Sequence, residues 1–171
     1  MRVGCLRLRA TLLPLVLPLL GLGCAEPTSD VLPTPAEIEA FYPTSRDISV
    51  EMNGNVAEIS VHQPFDQLER GGPLWAKVGP YIFLFSEGTR DAFERYPLLA
   101  GMRVITVAPG GAEIARATLA RDELNEIGWR RAISIAGHAR VEGSVRVTRI
   151  EELVRWGEEH TTFEYSPTYV P

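Results

Sequence analysis

The sequence predicts an α+β domain: an antiparallel sheet of about four strands, built from two hairpins and packed by helices. Three observations lead there. Two segments, near 48–61 and 102–119, alternate apolar and polar residues on either side of a tight turn. A long apolar segment with helical spacing lies between them, and two more helical segments follow. The resulting order, ββ-α-ββ-α-α, lacks the strand-helix-strand repeats of a doubly wound parallel sheet.

The chain starts with a segment that takes no part in this fold. Arg2, Arg7 and Arg9 precede an apolar run from Ala10 to Gly23, interrupted by Pro14 and Pro18. A bilayer span needs about 20 apolar residues, so the run is too short to cross as a stable helix. A basic start, a short apolar middle and small residues at its end read as an export signal, residues 1–23. The stretch Gly21, Leu22, Gly23, Cys24 resembles the cleavage box of bacterial lipoproteins. That resemblance implies removal of residues 1–23, acylation of Cys24 and anchorage to the lipid bilayer. Ala25 behind the cysteine is similar to lipoproteins sent to the outer membrane, facing the periplasm. The alternative is an ordinary signal peptide cut after Ala25, where Gly23 and Ala25 make a small-x-small site, giving a soluble periplasmic or secreted protein.

Composition bounds the rest. Removing residues 1–23 takes away three of the 17 basic residues and no acidic one, leaving 14 against 22, a net charge of −8. Such a body should not bind nucleic acid by neutralising phosphates, nor anionic lipid by charge alone. Cys5 and Cys24 are the two cysteines, so the body has neither a disulfide nor a thiolate nucleophile or metal ligand. About 130 residues suffice to bury a core without such staples.

The remaining elements follow in order. Residues 24–35 form a tether of Pro, Thr and Ser, and residues 36–171 a single domain. Thr34 and Pro35 suit the start of a short helix that Pro43 must end. Asn53-Gly54 between Ile48, Val50, Met52 and Val56, Ile59, Val61 signals a hairpin. Val56 and Ile59 are three apart, so its second strand is expected to slip phase or carry a bulge. From Leu74 to Tyr96 apolar residues recur at helical spacing, with a kink or break expected at Gly79-Pro80. Pro109-Gly110-Gly111 turns a second hairpin. A helix then starts near Asp122 and carries Gly128, Ala132 and Ala136 as a narrow packing strip. The last helix opens on Thr148 and Glu151, the spacing of a capping box. The tail, with Phe163, Tyr165 and Tyr169, is expected to pack over the domain's own core; the alternative is a strand added to a partner's sheet edge.

Candidate chemistry is sparse. His62, His138 and His160 are scattered, so no metal site and no cofactor are expected. Trp156 to His160 ends like a fragment of an inverted zinc-protease motif, but Trp156 stands where a histidine is required. Ser134 and His138, four apart on a helix, would suit a metal-independent hydrolase only with an orienting acid and an oxyanion hole. Pro109 to Glu113 lacks the Gly-Lys-Ser/Thr ending of a phosphate loop. Two binding features remain: an arginine-aromatic face of Trp129, Arg130, Arg131 and Arg140, and a cavity lined by Trp75, Tyr81, Phe83 and Phe85. The sequence therefore reads as a membrane-anchored lipoprotein of the cell envelope. Its domain is expected to be a non-catalytic binding or accessory module, with another envelope protein as possible partner and a small-molecule or lipid binder as the alternative.

Overall fold

The computed structural model describes residues 30–45 and 48–171. The export signal, Cys24 and the tether as far as Ser29 lie outside the described residues. The elements run α1 (Pro35–Glu39), β1 (Ile48–Asn53), β2 (Val56–His62), α2 (Phe65–Leu84), α3 (Glu87–Arg95), β3 (Gly101–Val107), β4 (Glu113–Ala120), α4 (Glu126–Glu142), α5 (Val147–His160) and β5 (Thr162–Tyr165).

The strands form one five-stranded sheet in the order β1-β2-β3-β4-β5. This corrects the expected antiparallel sheet of about four strands: β2 and β3 are parallel, and the other neighbours are antiparallel. The reason lies in the connection. Parallel neighbours need a crossover of a dozen or more residues, and α2 with α3 supplies it, returning the chain to the end from which β2 started. The fifth strand comes from the tail, which pairs with β4 from Ala115↔Tyr165 to Thr118↔Thr162.

Strand alternation puts Ala57, Ile59, Val61, Met102, Val104, Ala117 and Leu119 on the buried face, under the helices. The opposite face is polar. There Arg103 reaches Glu58 at 3.0 Å and Thr118 at 3.1 Å, and Arg116 reaches Glu113 at 2.6 Å. Helix α2 lies against β3 and β4, α5 packs on α2, and α4 packs on α5. The strip that lets α4 approach is Ala132, Ala136 and Ala139, all buried.

Several local expectations shift. The β1–β2 hairpin is regular, Ile48↔Val61 through Asn53↔Val56, with Gly54 at φ 62 in its turn. Ala57, not Val56, points inward, so β2 keeps period two and does not bulge; the irregularity falls in the β3–β4 pair, between Thr106 and Val107. Helix α2 keeps helical geometry through Pro80; the non-helical residue within it is Gly72 (φ 57, ψ −151), and the chain breaks again at Phe85–Ser86. Asn125 rather than Asp122 caps α4, its Oδ1 accepting from the Gly128 amide at 2.8 Å. Helix α5 starts at Val147 behind Arg146, so Thr148 and Glu151 lie inside it and form no box. The capping box is instead at α1, where Thr34 and Glu37 bond reciprocally.

Candidate functional site

The carboxyl ends of the parallel pair β2 and β3 open onto a cleft of about 610 Å³. Its floor is Val61, Gln63 and Thr106; one wall is α2, through Trp75, Val78, Gly79, Ile82 and Phe83. The α1–β1 loop, the α2–α3 turn and α4, through Ile133, Gly137 and Arg140, complete it.

The α2–α3 turn is held by a hydroxyl network. Ser86 Oγ and Thr89 Oγ1 each donate to the Phe83 carbonyl at 2.7 Å. The Tyr42 hydroxyl lies 2.7 Å from Thr89 Oγ1 and donates to Met102 Sδ at 2.8 Å. Burial raises the Tyr42 pKa well above the ordinary tyrosine range, so this hydroxyl stays a donor. The network fixes Phe83, Phe85 and Ser86 on the cleft and ties the α1–β1 loop to α3.

One polar group in the cleft is unmatched. Gln63, 6 % exposed, donates its amide nitrogen to the Trp75 carbonyl at 2.9 Å. That carbonyl only accepts, so the orientation of the amide is fixed and Oε1 is turned away from it. Oε1 is buried without a hydrogen-bond partner.

Of the four aromatics expected to line a cavity, Trp75, Phe83 and Phe85 do so. Tyr81 is buried elsewhere, its hydroxyl 2.5 Å from that of Tyr165. The arginine-aromatic set is divided between three places. Trp129 is buried against Phe93, and Arg130 lies beside it, 4.0 Å from Glu126. The Arg131 guanidinium covers the Trp156 ring at 4.6 Å. Arg140 alone of the four lines the cleft, and its Nη2 donates to the Ile82 carbonyl at 3.1 Å. Ser134 and His138 are both exposed on α4, with no hydrogen bond between them. His160 lies 3.2 Å from Glu123 across its Nδ1. Among the described residues no group of three His, Cys, Asp or Glu could hold a metal ion.

Comparisons add no relative. No protein-family model matches the chain, and no curated protein or solved structure matches it either. The site must therefore be read from its own chemistry.

The residues that sequence reasoning missed here are Tyr42, Gln63, Ser86 and Thr106. The one signal near them is the polar break His62-Gln63-Pro64 between a strand and a helix. It marks a loop and says nothing of which side chain turns inward.

Proposed function

We propose that this protein is an exported lipoprotein, anchored by acylated Cys24, whose domain binds a small apolar molecule and catalyses no reaction. The observation that carries the binding reading is the cleft: concave, walled largely by aromatic and aliphatic side chains, with a few polar groups among them. Support for the anchor comes from the Gly21-Leu22-Gly23-Cys24 stretch and the tether behind it. No helix among the described residues is long and apolar enough to cross a membrane, so attachment in this reading rests on the acyl chains.

The binding claim is tested by titrating the purified protein with N-phenyl-1-naphthylamine, an apolar dye that brightens on leaving water. The expected result is saturable one-to-one binding that Phe83→Asp weakens at least tenfold while the circular dichroism spectrum stays that of the folded protein. Phe83 is half-buried, so the variant should fold. Unsaturable or absent binding would remove the proposal.

A further inference from the structure

We infer that the cleft is shaped for a small organic acid with an apolar body and an N–H or O–H group, the acid meeting Arg140 and the donor meeting Gln63. This rests on the reading of the cleft as a ligand site and specifies the ligand's chemistry.

The Gln63 side chain is the first reason. Its oxygen is a buried acceptor without a donor, which costs folding free energy that a ligand's donor would offset. It lies where α2 passes over β3. A Cβ added at Gly79 would stand 3.1 Å from Gln63 Oε1 and 2.7 Å from Thr106 Cγ2. All three residues line the cleft. The glycine thus leaves the space beside the oxygen narrow and apolar. Water does not reach that oxygen, so binding includes a small opening of this wall. A donor that enters then bonds in a dry site, where a hydrogen bond is stronger than in water.

Arg140 is the second reason. Its guanidinium is exposed and has one bond, to the Ile82 carbonyl, and among the described residues no carboxylate is in ion-pair range. Elsewhere in this acidic chain arginines on or beside the helices are commonly paired: Arg149 reaches Glu142 and Glu152, and Arg146 reaches Glu142. Glu87, the acid among the described residues of the cleft lining, is already held by Arg90 at 2.6 Å. Arg140 therefore keeps donors free for a ligand carboxylate, which its planar fork recognises well. Between the two polar groups the walls are Trp75, Val78, Ile82, Phe83 and Ile133. They suit an aromatic or branched apolar body.

Three probes separate the two contacts. Indole-3-propionate carries the ring, the N–H and the acid; 1-methylindole-3-propionate lacks the N–H; 3-ethylindole lacks the acid. Each is titrated calorimetrically into the purified protein, then into Gln63→Leu and Arg140→Gln. Each missing group should weaken binding about tenfold, the scale of one hydrogen bond to a dry or charged partner. The methylation effect should vanish in Gln63→Leu and the acid effect in Arg140→Gln, as double-mutant cycles require of paired groups. Probes that bind the native protein with equal affinity would overturn the inference while leaving the cleft a ligand site, and that comparison needs no variant to fold. Differences that persist unchanged in both variants would do the same. If neither these probes nor N-phenyl-1-naphthylamine bind, the ligand-site reading falls and the inference with it.

Discussion

Tyr165 ties the end of the chain to the helices through one hydroxyl. It donates to Glu158 Oε1 at 3.1 Å and, with its proton used there, accepts from Tyr81, whose oxygen is 2.5 Å away. Lys77 closes the group, 3.1 Å from the same Glu158 oxygen and 4.8 Å above the Tyr165 ring. Replacing Tyr165 by Phe should cost about 1–2 kcal/mol in urea unfolding, because buried Tyr81 and half-buried Glu158 both lose a hydrogen-bond partner. The same hydroxyls set an alkaline limit. Burial, the largest cause, pushes the Tyr81 pKa from 10.0 up to about 12, and raises that of Tyr165 as well. Folding therefore favours the neutral tyrosines. Their contribution is complete below the unfolded value and is lost as pH rises through the folded one. Urea midpoints should hold steady between pH 7 and 9, then fall between pH 10 and 12; a midpoint flat across that upper window would contradict the account. Gly157 carries a further constraint: a Cβ there would overlap the Tyr81 ring. Tyr81 is fully buried and cannot swing away, so Gly157→Ala should destabilise by about 1–3 kcal/mol, the usual cost of overpacking, read from the same urea curves.

At the scale of elements, what was legible in the sequence is what local chemistry decides. Asn53-Gly54 between alternating residues marked the first hairpin, and Pro109-Gly110-Gly111 the second, because turns depend on a few adjacent backbones. Thr34 ahead of Pro35 marked α1 for the same reason. The direction of β3 beside β2 was not legible. It depends on how many times the intervening helices double back, and the break at Phe85–Ser86 has no glycine or proline to announce it. Apolar residues run through that break because both helices bury them. Thr148 and Glu151 had the spacing of a cap without the role, since Val147 already continues the helix from Arg146. Strand β5 was hidden for a different reason. Its four residues carry little inward apolar area of their own, and its place is fixed by pairing to β4 and by Ser166, whose amide bonds the Ile114 carbonyl at 2.9 Å. Beyond it, Tyr169 and Val170 pack on a small core of Ala76, Ala108, Ile114 and Ala115. Removing residues 161–171 should therefore do more than fray an edge. It strips β4 of its neighbour and exposes that core, so thermal unfolding followed by circular dichroism should begin well below that of the intact chain and lose its sharpness. A truncated chain that melts like the intact one would show the tail to be ornamental.

For the whole molecule, one sheet face is polar and cross-linked by charge, and the other lies under helices that open a cleft at its end. The apolar half of that cleft was legible, since Trp75 and Phe83 sit in a helix apolar on nearly every side and Phe85 directly follows it. The polar half was not. Gln63 reads as an ordinary loop residue until the fold buries it, and Arg140 reads as one of several helix arginines until α4 is laid against the cleft. Distant parts of the chain supply these groups, so no local pattern could join them. The central claim is that this cleft is occupied in the cell by a small organic molecule while Cys24 holds the domain at a membrane. The most direct measurement is native mass spectrometry of the protein recovered from the membrane fraction of its host, followed by denaturation of the same sample. The account predicts a chain that starts at diacylglyceryl-modified Cys24 and releases one small acid on denaturation. An unmodified chain starting at Glu26, with no mass lost on unfolding, would contradict it.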